Sequence, residues 1–122
     1  MFRKLALISV FLLTANSFAQ FDKYNSEFEW YTIKGKNVEV HFHEGAERTA
    51  RVVLKIAEEV WDPVCSLYEY YPDKVHYVIK DIDDYSNGAT YFFDNKIEIW
   101  TSALDFDLRG SHNWLRNVIS HE

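Results

Sequence analysis

The sequence is poor in the residues that punctuate or staple a chain. One Cys among 122 residues excludes a disulfide framework, and two Pro with four Gly exclude collagen-like or low-complexity architectures. Positive charge is also scarce, with 13 Lys plus Arg against 19 Asp plus Glu. A net charge of −6 without a basic cluster excludes nucleic acid as a partner, because phosphate backbones are bound through Lys and Arg. What the chain does have is apolar and aromatic surface, 48% and 17% of its residues. That is the composition of one folded domain.

The longest apolar run opens the chain. Arg3 and Lys4 form a positive start, Leu5 to Leu13 an apolar stretch broken only by Ser9, and Ser17-Phe18-Ala19 a small-x-small cleavage site. This three-part pattern predicts a secretory signal peptide over residues 1–19 and an exported protein, periplasmic, outer-surface or secreted. The run is about half the roughly 20 residues of a membrane-spanning helix, so no permanent membrane anchor is expected. The mature chain would begin at Gln20 and be more acidic still. Cys65, set among Trp61, Val64 and Tyr68, suits a small buried hydrophobe better than a reactive thiol.

Periodicity then predicts an α+β fold. Strands are expected at Phe28 to Ile33 and Lys36 to His43, around Lys34-Gly35-Lys36. Val38, Val40 and Phe42 alternate with Glu39, His41 and His43. His41 and His43 point the same way and could in principle share a metal, but with no third ligand evident beside them a solvated face is expected. From Ala46 to Tyr70 apolar residues recur at three and four, opposite Glu47, Arg51, Lys55, Glu58 and Glu59, which predicts a long covering helix. Pro63 reads as a kink or, preferably, as the first residue of a second helix capped by Asp62. The Tyr68, Tyr70, Tyr71 group at the helix end is expected to pack.

Lys74 to Lys80 follows as a strand with Val75, Tyr77 and Ile79 on one face and His76 and Val78 on the other. Asp81-Ile82-Asp83-Asp84 lacks the Gly and terminal Glu of a calcium loop and reads as a solvated turn. Asn87-Gly88 and Asp94-Asn95 read as turns about a short strand, Tyr91 to Phe93, with a last strand at Lys96 to Trp100 carrying Trp100 on its polar side. The sheet as a whole is expected to be twisted and mixed or antiparallel.

After the polar link Asp105 to Gly110, Ser111 is a candidate N-cap of a helix bearing Leu115, Val118 and Ile119. That helix reaches Glu122 with no Gly or Asn cap and an acid where the helix dipole is negative, so the polypeptide is expected to continue. His121-Glu122 matches the first half of the helical zinc signature His-Glu-x-x-His, in which two His bind zinc and the Glu activates a metal-bound water. Adjacent Ser-His pairs at 111–112 and 120–121 do not face each other on a helix, so no serine nucleophile is expected.

The segment Arg109-Gly110-Ser111-His112-Asn113-Trp114-Leu115-Arg116-Asn117-Val118-Ile119-Ser120-His121-Glu122 resembles the entry into the active-site helix of the peptidase MA-like gluzincins. It is similar in particular to exported bacterial proteins carrying such a domain ahead of a TolB-like β-propeller. The order of elements before it, with Asn87-Gly88-Ala89-Thr90 and Ile97-Glu98-Ile99-Trp100, is similar as well. The resemblance implies a zincin-like amino-terminal half over residues 20–122, broken off within the zinc-binding helix. It implies His121 as the first zinc ligand, Glu122 as the general base, and Lys96, Ile97, Glu98, Ile99 and Trp100 as the strand beside a cleft for a peptide or protein substrate. Zinc would be the cofactor of the complete protein, while this chain alone is expected to be inactive and to bind zinc weakly. The competing expectation is a non-catalytic exported scaffold or binding module attached to the propeller.

Overall fold

The computed structural model describes residues 27–82, 86–101 and 111–122. The signal-peptide reading of residues 1–19, the acidic turn at 83–84, the link at 105–110 and the side chain of Ser111 lie outside what is described. Strand β1 (Trp30–Lys34) and strand β2 (Val38–His43) form an antiparallel hairpin. Helix α1 (Glu47–Tyr68) carries the chain over the sheet to strand β3 (Val75–Lys80), which pairs parallel to β2. Strand β4 (Asn87–Tyr91) turns through a single 3₁₀ turn (Phe92–Asp94) into strand β5 (Lys96–Trp100), and helix α2 (Ser111–His121) follows. The five strands lie in the order β1-β2-β3-β5-β4, a mixed sheet in an α+β fold.

Both helices pack on one face. Val38, Val40, Phe42, Tyr77, Ile79, Ile97 and Ile99 from the strands meet Ala50, Val53, Ile56 and Ala57 of α1 and Leu115 and Ile119 of α2 in one buried cluster. These are the positions that period-2 and period-3.6 patterning assign to a common interior. The β1–β2 turn is tied to α1 by the Glu58 carboxylate, which accepts from the backbone N–H and side-chain amide of Asn37, both at 2.8 Å. A Cβ on Gly35 would crowd that carboxylate and Leu54 Cδ1, so glycine lets the turn seat on the helix without displacing either side chain.

Four sequence expectations change. The Tyr68, Tyr70 and Tyr71 group is exposed rather than packed, because the last turn of α1 runs on beyond Cys65, the last buried residue of the helix. Helix α1 runs unbroken through Pro63, which is exposed. The hydrogen bond that Pro63 cannot donate is lost on the side facing water, while Ala57 and Cys65 hold the other side in the core. The helix stops six residues later in a Schellman arrangement, with Glu69 at φ 52° and the Tyr70 N–H donating to the Cys65 carbonyl at 3.1 Å. The penultimate strand is Asn87–Tyr91 rather than Tyr91–Phe93, so Asn87-Gly88 lies within a strand. Asn95, at φ 48°, makes the turn in a conformation that asparagine tolerates. Finally, His43 is buried rather than solvated. Phe28 and Trp30 enclose its ring, and its Nε2 accepts from the Asp81 backbone N–H at 3.2 Å, so Nδ1 carries the proton and donates to the Glu44 carbonyl at 2.8 Å.

Candidate functional site

Helix α2 is fixed by Leu115 and Ile119, 0% and 3% exposed, which sit four apart and therefore on one face. Its outer side is tied to α1 by an Arg116–Glu59 ion pair. This anchoring sends the last turn toward strand β4. His121 is exposed there, and Glu122 is half-buried against the strand.

The Thr90 hydroxyl stands 2.7 Å from Glu122 Oε2 and 3.0 Å from the Glu122 carbonyl oxygen, so its proton holds the end of the helix against β4. Gly88 lets the two elements approach this closely. A Cβ there would lie 2.7 Å from Val118 Cγ1 and 2.9 Å from Glu122 Oε1. The pair read in sequence as a turn is therefore a packing contact, and Asn87-Gly88-Ala89-Thr90 sits directly beside Glu122.

A cavity of about 390 Å³ opens beside His121 and Glu122, with walls that include Trp61, Val64, Tyr68, Tyr77 and Ile119. Burial, followed by the charges of Cys65 and Glu122, pushes the Tyr77 phenol well above its ordinary range, so it stays a neutral donor. Burial, reinforced by Asp62, likewise pushes the Cys65 thiol up, which removes it as a nucleophile.

The strand read as lying beside a substrate cleft is β5, and its Ile97 is among the residues that line the cavity at His121 and Glu122. Lys96, Ile97, Glu98, Ile99 and Trp100 form β5, paired on one side with β3 and on the other with β4. A strand with both backbone edges occupied has no donors or acceptors left for a peptide. The edge next to Glu122 is β4. Within β5, Ile97 and Ile99 enter the core, while Glu98 lies on the opposite face and takes Lys80 Nζ at 2.7 Å and Lys96 Nζ at 2.9 Å. Burial pushes the Glu98 carboxyl up, yet the hydrogen bonds and charges of the two lysines outweigh it and hold the group below the usual carboxylate range. Lys80 also lies 5.1 Å over the Trp100 ring, so this aromatic is part of an internal cluster.

The donor set at the end of α2 does not by itself make a zinc site. His121 supplies one imidazole, and among the described residues no second His, Cys, Asp or Glu joins it in a group of three that could hold an ion. Such a group does occur elsewhere, at Glu39, His41 and His76 on the helix-free face. Sequence reading missed His76 because it is 35 residues from His41 and meets it only through the parallel β2–β3 register, which sets Glu39 opposite His76. His41 and His43 share a face as expected, but His43 is engaged with backbone groups and has no part in that cluster.

Comparison of the chain with protein-family models, with curated proteins and with solved structures found no match.

Proposed function

We propose that this chain is the amino-terminal part of an exported zinc-dependent metallopeptidase, with His121 as the first zinc ligand and Glu122 as the general base. The observation that carries the reading is the position of Glu122. A carboxylate oriented by a threonine hydroxyl stands beside an edge strand and at the mouth of a cavity. An extended peptide that adds to β4, the last strand in the order of the described sheet, would run past that carboxylate with its backbone hydrogen-bonded to the strand. A carboxylate held in this way can take a proton from an attacking water, the role of the Glu in the signature that His121-Glu122 begins. The resemblance to gluzincins supports the roles of His121 and Glu122, while on this reading the peptide pairs with Asn87–Tyr91, the strand outside the Lys96–Trp100 strand that the resemblance implies.

The remaining zinc ligands belong, on this reading, to the polypeptide after Glu122. The coding sequence beyond that residue is the direct test. A His at the third position past Glu122, followed by a Glu roughly twenty residues later, completes the signature. Any other residue at the first of these positions removes the peptidase and leaves an exported scaffold or binding module.

A further inference from the structure

The face of the sheet opposite the helices carries polar side chains in rows set by the strand register. One of these rows runs Lys34, Glu39, His76 and Lys96, and the next holds Thr32, His41, Val78 and Glu98. Glu39, His41 and His76 meet where the two rows adjoin, on the parallel β2–β3 pair. Their three donor atoms lie within 4.8 Å of one another. His41 Nε2 is 3.0 Å from His76 Nδ1, and Glu39 Oε2 is 3.9 Å from the same nitrogen.

Those separations are close to what a small cation requires. Donors bonded tetrahedrally to zinc at about 2.0–2.1 Å stand about 3.3 Å apart, so His41 and His76 are already near that spacing, and a rotation of the Glu39 side chain, from 3.9 Å off His76 and within 4.8 Å of both rings, would bring its carboxylate in. The surroundings hold the ligands in the right form. Thr32 Oγ1 lies 2.8 Å from His41 Nδ1 and can accept its proton, which turns the Nε2 lone pair toward His76. Glu39 divides its oxygens, Oε1 meeting Lys74 at 3.4 Å and Lys34 at 3.9 Å, and Oε2 facing His76. Burial pushes the Glu39 carboxyl up, but Lys34 and Lys74, both beside Oε1, outweigh it and bring it below its ordinary value. The two rings are stacked at 5.3 Å and 19°, and the His76 side chain is 39% exposed, which leaves a way in from solvent.

We propose that Glu39, His41 and His76 form a second, independent site for a divalent cation of the zinc class, with its remaining coordination position open to water. Two imidazoles and one carboxylate select zinc, nickel or copper over magnesium and calcium. The cation replaces the proton on His76 Nδ1, and a neutral His76 then carries its proton on Nε2, so no net proton leaves the neutral rings. The ion would clamp β2 to β3 across the parallel pair. This departs from the sequence expectation that the chain binds zinc weakly. It does not rest on the peptidase reading, since His121 lies at the end of α2 and contributes nothing to it.

The test is a titration of the full chain with zinc alone at neutral pH, followed by histidine ring resonances and by equilibrium dialysis. One equivalent should bind, with the His41 and His76 rings shifting together and the His121 ring still. His41→Gln and His76→Gln should each weaken binding at least about tenfold, and His121→Gln should leave it unchanged. Wild-type His41 and His76 resonances that stay in place under a large excess of zinc would overturn the proposal, whether or not the variants fold. Binding that is lost with His121→Gln and kept with His76→Gln would overturn it equally.

Discussion

The two faces of the sheet solve different problems with the same strands. On the covered face, Val38, Val40, Ile79 and Ile99 are fully buried, and each is held by shape and exclusion of water. The open face carries polar side chains that are satisfied by neighbours on the same or an adjacent strand: Thr32 by His41, His41 by His76, Glu98 by Lys80 and Lys96. The covered face tolerates no loss of volume but is indifferent to pH. The open face has little apolar packing to lose, and its contribution depends on protonation. Glu122 belongs to neither set, because it stands where α2 meets the sheet edge.

Cutting into the covered face should give the largest effect. Ile79→Ala empties a fully buried position in the central strand and should cost about 3–4 kcal/mol, read as a lower urea midpoint. An effect below about 1 kcal/mol would mean that α1 collapses onto the gap and that the core is looser than its burial indicates.

The open face is broken most sharply at Glu98. Glu98→Ala leaves Lys80 and Lys96 without their shared anion and should cost about 1–3 kcal/mol, discounted because the lysines keep some access to water. Its pH dependence has a definite sign. A carboxyl held below its ordinary value stabilises the fold fully above the usual carboxylate range, and that stability is lost as pH falls through the lowered value. Urea unfolding from neutral to acid pH should therefore show a steeper decline for wild type than for Glu98→Gln. Parallel curves would remove the lysine cage from the account.

A smaller, more local effect is expected where the helix meets the edge. Gly88→Ala forces Val118 and the Glu122 carboxylate to move and should cost about 1 kcal/mol. In the complete protein it should lower turnover of a peptide more than it lowers thermal stability. Unchanged turnover would show that the Thr90–Glu122 contact does not orient the base.

These effects follow the line between what could be read in the sequence and what could not. The covered face was legible, because burial imposes a period and Val38, Val40 and Phe42, or Leu115 and Ile119, display it within a single element. Helix α1 was legible for the same reason, apart from Pro63, whose effect depends on which side of the helix faces water, and from the tyrosines at its end, which are exposed. The open face was not. The partners Glu39 and His76 are joined by a parallel register that runs through a helix of 22 residues, and no local pattern encodes that register. The role of Asn87-Gly88 was hidden too, since a glycine needed for close approach has the same sequence signature as one needed for a turn. His121-Glu122 was found by its dipeptide and its helix, but which strand stands beside it depended on β4 lying outside β5.

Glu122 is the residue on which the peptidase reading stands or falls. In the complete protein, metal content and turnover of an unstructured protein substrate should be measured together for wild type, Glu122→Gln and His121→Ala. Gln keeps the shape of the side chain and its contact with Thr90 but cannot accept a proton, so Glu122→Gln should keep the wild-type zinc content and lose peptide hydrolysis. His121→Ala should lose hydrolysis together with one equivalent of zinc, while the equivalent assigned to Glu39, His41 and His76 remains. A Glu122→Gln protein that hydrolyses its substrate at the wild-type rate would contradict the assignment of Glu122 as the base.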